Sequence, residues 1–157
     1  MKKDLFVSCY TYADWANNKI LEKVALLSYE PLNQPNAGFR PVYETLLHLA
    51  NADRRWLTGW QGLERPPHKT AEELPTSAAI EAFWRNIWQE RRAYIDSLDE
   101  AQFDQPISPN PPPFLRWQAM LTAANHGVQH RAEIAAAVTV AGHSPGDLDY
   151  VFYIRSI

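Results

Sequence analysis

Proline decides where this chain can be regular. Its twelve prolines fall at 31, 35 and 41, at 66, 67 and 75, at 106, 109 and 111 to 113, and at 145. An interior proline removes a backbone donor and clashes with the preceding helical turn. Long helices are therefore confined to the four proline-free stretches in between. In the first, Asp4 to Ser28, Phe6, Tyr10, Ala13, Ile20, Val24 and Leu27 recur at three- and four-residue spacing and draw one apolar face, which Asn17 interrupts. The second, Val42 to Trp60, follows Pro41, placed where a first-turn proline is tolerated. It sets Tyr43, Leu46, Leu47, Ala50 and Leu57 on one side, with Trp56 and Trp60 extending the arc. The third starts near Ser77, a suitable cap, and aligns Ile80, Trp84, Ile87, Arg91, Ile95 and Leu98, with Phe83, Trp88 and Tyr94 beside them. Arg91 is expected to reach around the edge of the core. The fourth, Phe114 to Ala141, is apolar on nearly all sides, as a central helix is. It ends at Gly142, followed by Pro145.

Four amphipathic helices predict an all-α fold, a four-helix bundle forming one domain over residues 1–157. Connectors of roughly 10 to 17 residues permit crossovers as well as hairpins, so the topology stays open. The PNPPP segment at 109 to 113 reads as a stiff connector. Alternating patterns are nearly absent. The closest, YVFYI at 150 to 154, reads as a short strand or a final helical turn in a C-terminal extra segment.

Composition narrows the function classes. The formal charge is −3, and basic residues are scattered in ones and twos (Lys2/Lys3, Arg54/Arg55, Arg91/Arg92), without a stripe that would neutralise phosphates. Nucleic acid is not expected as a partner. Cys9 is the only cysteine, which excludes an intramolecular disulfide and a Cys-rich zinc cluster and fits a reducing compartment. The N-terminus lacks a signal-peptide core, because Asp4, Ser8, Thr11 and Asp14 break its apolar run. The longest weakly polar run, Ile134 to Gly142, is too short to span a bilayer. A cytoplasmic protein without a membrane partner is the expectation.

The chemistry lies in the histidines. His126 and His130, in NHGVQHRAEI, are four residues apart, which stacks them on one helical face with a rise of about 6 Å. Ala119, Ala123, Ala137 and Ala141 share that face and leave room for an ion, a substrate or a neighbouring helix. Such a pair can chelate one ion, although His-x-x-x-His also arises by chance. Gly127 stands where the zinc-protease motif requires a glutamate base, so that chemistry is disfavoured. A third ligand must come from elsewhere: His48, His68 or His143. His68 lies in ERPPHKT and His143 just past a helix end, where loop or capping roles are ordinary. His48 is mid-helix but off the centre of the Leu46/Ala50/Leu57 face, and helical phase alone does not select it.

Four strings together carry a resemblance: YADWANNKIL (12 to 21), LLHLANADRRWL (46 to 57), HGVQHRAEI (126 to 134) and AGHSPGDLDYVFY (141 to 153). They resemble the DinB-like family of small bacterial four-helix proteins, unrelated to the DNA polymerase of that name, over nearly the whole chain. The resemblance implies a divalent metal on His48, His126 and His130, and a homodimer. It also implies kinship with transferases and isomerases that use low-molecular-weight thiols such as bacillithiol or mycothiol. The family often follows its last histidine with Arg-Gly-Gln. Here Arg131 matches, while Ala132 and Glu133 depart and place an acidic group one turn from His130.

Three imidazoles and an exchangeable water make a catalytic-type site, and such an ion can bring the water's pKa toward neutrality or hold a thiolate. Nickel, zinc, iron and manganese all accept imidazole. Asn17 either hydrogen-bonds a ligand ring from behind or bonds locally, and Arg131 is the other residue expected to stand behind the ligands. Glu133 either acts as a base or pairs with Arg131 or solvent. The tryptophans line a pocket or simply pack, and Asp147 and Asp149 fix the turn after Gly142. Three functions remain open: a metal-dependent thiol transferase or hydrolase acting on a small molecule, a stress-related protein that only binds metal or a small ligand, and a structural or regulatory homodimer with incidental histidines.

Overall fold

Pro41 and Gly62 bracket one helix so closely that its ends coincide with the sequence expectation: Val42–Trp60. The computed structural model describes residues 1–35, 40–107 and 114–157. Four long helices dominate it: α1 (Lys2–Val24), α3 (Val42–Trp60), α4 (Ser77–Ser97) and α5 (Arg116–Val140). Two short helices, α2 (Tyr29–Asn33) and α6 (Tyr150–Ile154), lie outside the four. Helix α2 was not expected, because Pro31 sits inside it; a proline in a helical first turn gives up only a donor that has no intrahelical partner anyway. YVFYI is the helical turn of its two alternatives. Among the described residues the only extended pairing is an isolated bridge between Pro106 and Leu115. The PNPPP segment lies outside the described residues.

The helix ends show why the chain stops where it does. Thr76, not Ser77, caps α4, its hydroxyl accepting from the Ala79 N–H at 3.1 Å. At the end of α5 the Gly142 N–H bonds the Thr139 carbonyl at 3.0 Å and the His143 N–H bonds Val138 at 2.8 Å, with Gly142 at φ 86°. That left-handed turn suits a residue without Cβ, and it fixes His143 as part of a helix cap. Glu100, just before a 3₁₀ turn at Ala101–Asp104, accepts from the backbone N–H groups of Lys2 and Lys3 and so closes the open end of α1. Phe103 of that turn stacks on Phe6, ring centroids 5.7 Å apart.

Side-chain contacts fix the directions. Tyr10 bonds the Met120 carbonyl and Asn17 meets Arg131, so α1 and α5 run parallel. Asp53 receives the Trp84 indole N–H while the Trp60 carbonyl receives the Tyr94 hydroxyl, so α3 and α4 also run parallel. Asp14 pairs with Arg91, and Lys3 with the Leu98 carbonyl, which makes α1 and α4 antiparallel; α3 and α5 are antiparallel as well. Around the bundle the order is α1, α4, α3, α5.

Parallel neighbours α3 and α4 need a return connection along the bundle. Residues 61–76 make it as a strap beside α3: Asn51 clamps Lys69 by its N–H and carbonyl (2.6 and 2.9 Å), and the Tyr43 hydroxyl holds the Leu74 carbonyl at 2.6 Å. One apolar core runs through all four long helices, with Ile20, Leu46, Leu49, Ile80, Trp84 and Met120 fully buried. Arg91 is within it at 3% exposure, rather than at the edge where the sequence pattern put it. Its guanidinium faces Asp14 and Asp53 and lies 4.5 Å over the Tyr10 ring, an apolar-plus-ionic enclosure that a long basic side chain tolerates only when fully paired. No described helix is long and apolar enough to cross a membrane.

Candidate metal centre

Helix α5 presents His126 and His130 one turn apart, as their spacing dictates, with ring centroids at 4.5 Å. Antiparallel α3 brings His48 against both, at 5.1 and 4.8 Å. Each ring offers one nitrogen, and the three nitrogens lie within 4.8 Å of one another. Among the described residues no other group of histidine, cysteine and acidic side chains converges this way. Nε2 of His48 and of His126 are 3.1 Å apart. Zinc holds imidazole nitrogens at about 2.0–2.1 Å, which puts neighbouring donors on a tetrahedron roughly 3.3 Å apart. The donors present therefore fit a divalent ion, with three protein ligands among the described residues.

Ligation needs neutral imidazole, and the surroundings supply it. Burial, the charge of Arg40 and the neighbouring rings of His130, His126 and His68 push His48 down to about 4. His126 is lowered too, first by burial and then by His130, with Asp53 working in the opposite sense. Both rings carry a free lone pair at neutral pH. His130 is turned differently: its Nδ1 is 2.7 Å from a carboxylate oxygen of Glu133, three residues on. A carboxylate accepts, so Nδ1 donates the proton and Nε2 is left as the lone-pair nitrogen. Glu133 is thus a positioning group for His130 and does not pair with Arg131.

Arg131 and Asn17 occupy the opposite flank of α5. Arg131 Nη1 donates to Asn17 Oδ1 at 3.3 Å, and the guanidinium lies 5.7 Å over the Tyr12 ring. Gly127 makes that path possible, since a Cβ there would stand 3.0 Å from Arg131 Nη1. Of Asn17's two alternatives the described hydrogen bonds include neither a ligand ring nor its own helix. His143 is in the α5 cap, and His68 is on the strap, where Arg55 Nη1 donates to its Nε2 at 2.7 Å. Of the tryptophans, Trp60, Trp84 and Trp88 are core, while Trp56 faces the cleft beside His48. Asp149 precedes α6 without a side-chain cap bond.

The sequence pattern did not single out Asn51, Asp53 or the pairing of Glu133. Asn51 had a signal in hindsight: a buried asparagine on an amphipathic helix must spend its donors and acceptor somewhere.

Comparison with known proteins follows the same lines. A crystal structure of a conserved protein from Enterococcus faecalis is similar in fold, with a TM-score of 0.67 over 83% of this chain and 92% of that one, at 15% identity. No curated protein is significantly similar in sequence. The sequence model of the DinB family matches residues 1–157. Because that match runs the length of the sequence, the chain belongs to the DinB family.

Proposed function

We propose that the protein binds one divalent cation through His48, His126 and His130 and uses it in thiol-transfer or hydrolytic chemistry on a small molecule. The observation that carries this reading is the convergence of three imidazole nitrogens from two antiparallel helices, one of them oriented by Glu133. When bound, the ion supplies Lewis acidity to an oxygen or sulfur ligand. The protein's own contribution is to keep His48 and His126 unprotonated, to orient His130 through Glu133, and to set His48 at the border of a cleft. Nickel, zinc, iron and manganese suit three imidazoles. Thiol chemistry is favoured over hydrolysis by the family's kinship with thiol-dependent transferases.

Untagged protein loaded with cobalt or nickel should show a changed d–d absorption when a small thiol is added. A spectrum that stays flat with every cellular thiol at saturating concentration would remove thiol chemistry and leave hydrolysis.

We also infer a homodimer that pairs through the groove between α1 and α5. There an apolar hollow of about 310 Å³ is bordered by Leu5, Leu121 and Val128, which are 63%, 44% and 47% exposed. Exposed apolar surface of that kind is a natural seam between copies. Light scattering should give a dimer mass for the wild type and a monomer mass for Leu121→Asp with unchanged helicity. A monomeric wild type would refute the pairing.

A further inference from the structure

One member of the triad, His48, also borders a second, differently built space. A cleft of about 210 Å³ is lined by His48, Ala52, Arg55, Trp56, Arg65 and His68. Helix α3 forms one wall, the strap the other. Arg55 is seven residues beyond His48, two turns along the same flank and about 10 Å on. The strap is held in register by the clamp of Asn51 on Lys69, next to His68.

Two guanidinium groups and no carboxylate meet in this cleft. The chain has more acidic than basic residues, 18 against 15. Lys2, Lys69, Arg85, Arg91 and Arg92 each face a carboxylate. Arg55 and Arg65 do not: among the described residues neither is in an ion pair, and no acidic side chain lines the cleft. Arg55 donates one N–H to His68 Nε2, and its other donors have no hydrogen-bond partner among the described residues. Two guanidinium groups beside an indole face bind a carboxylate bidentately while the ring covers an aliphatic stem.

We propose that this cleft is the recognition site for the carboxylate of a small organic acid, whose other, reactive end lies at the three histidines. Arg55 and Arg65 hold the acid group, Trp56 covers the linking carbons, and the strap sets the distance between the two ends. The placement of the reactive end rests on the metal-centre reading above. The placement of the carboxylate does not.

Two titrations separate them. In metal-free protein followed by NMR at the Trp56 indole and the Arg55 side chain, succinate should bind saturably and succinamide about tenfold more weakly, the factor expected for losing a charge-assisted contact. Arg55→Gln with Arg65→Gln should weaken succinate by a similar factor. Equal binding of acid and amide, shifts that survive in the double variant, or a preference for inorganic phosphate over succinate would each overturn the proposal. In nickel-loaded protein, mercaptosuccinate should change the d–d spectrum at about tenfold lower concentration than 2-mercaptoethanol, and the double variant should erase that ratio. A ratio near one in the wild type also overturns it. Silence with both thiols counts only against thiol chemistry, because the succinate titration still decides the cleft.

Discussion

Alanine at His126 is expected to lower metal affinity by more than about 100-fold, because the loss of a mere supporting partner already costs roughly 10- to 100-fold. Among the described residues only His48 and His130 offer nitrogens that converge with it. Metal content of untagged protein after dialysis, with isothermal titration of the apo form, reads the effect. His48→Ala should match it, and that comparison matters most, since His48 is the ligand that spacing alone did not identify. Retention of full affinity in His48→Ala would reduce the centre to a two-histidine chelate. Glu133 gives a graded control. Glu133→Ala should weaken binding within the supporting-partner range, and Glu133→Gln should recover part of it, because an amide oxygen still accepts from His130 Nδ1.

Arg91→Ala is expected to be strongly destabilising, at about 3–5 kcal/mol in urea unfolding, the cost of stripping the partner from a buried charge. Asp14 and Asp53 would be left facing one another in the core, and the cation over Tyr10 would be gone. Because Asp14 retains some exposure, the lower end of that range is the better expectation. The pH dependence has a definite sign. Burial already raises the Asp14 carboxyl even with Arg91 beside it. Without Arg91 it rises further, so the folded variant takes up a proton more readily than the unfolded chain. Acidification through that raised pKa then favours the folded form, and the deficit against wild type should shrink between pH 7 and 4. Combining Arg91→Met with Asp14→Asn and Asp53→Asn should regain more than half the loss, since the uncompensated charges go with the guanidinium. A deficit that the triple variant does not reduce would mean that packing, not charge, sets the cost.

How the sequence could show His126 and His130 yet leave His48 ambiguous has a physical reason. Tyr43 and Leu47 were counted with Leu46 and Ala50 as the core face of α3. In the structure both are only partly buried, and the Tyr43 hydroxyl serves the strap. The face that is fully buried includes Leu49 and turns toward α5, which brings His48 to the α3/α5 seam. Two partly buried apolar residues, one of them tied to the strap, thus rotated the wheel away from the ligand. The same limit explains Arg91. Its position on the apolar line was visible, but its partners Asp14 and Asp53 sit on other helices, and no local pattern reports a pairing across the bundle. Helix boundaries fared better because prolines and glycines act locally: Pro41, Gly62 and Gly142 each mark an end within a residue or two. Helix order stayed open because connectors of this length fit several arrangements.

The helix order itself bears on how the molecule is made. Of the four long helices, α1 and α3, successive in the chain, lie on one diagonal of the bundle and α4 and α5 on the other, so only the middle pair of long helices, α3 and α4, are both sequential and adjacent. A nascent chain that has released α1 and α3 holds no two neighbouring long helices to pack, only the short α2 against α3, and its main apolar faces wait for α4. Both flanks of α5, the last long helix, are then filled by α1 and α3, whose hydrogen bonds to it span 56 to 114 residues. Native contacts of such separation make folding slow relative to a simple up-and-down bundle and keep the early half of the chain dependent on completion of the late half.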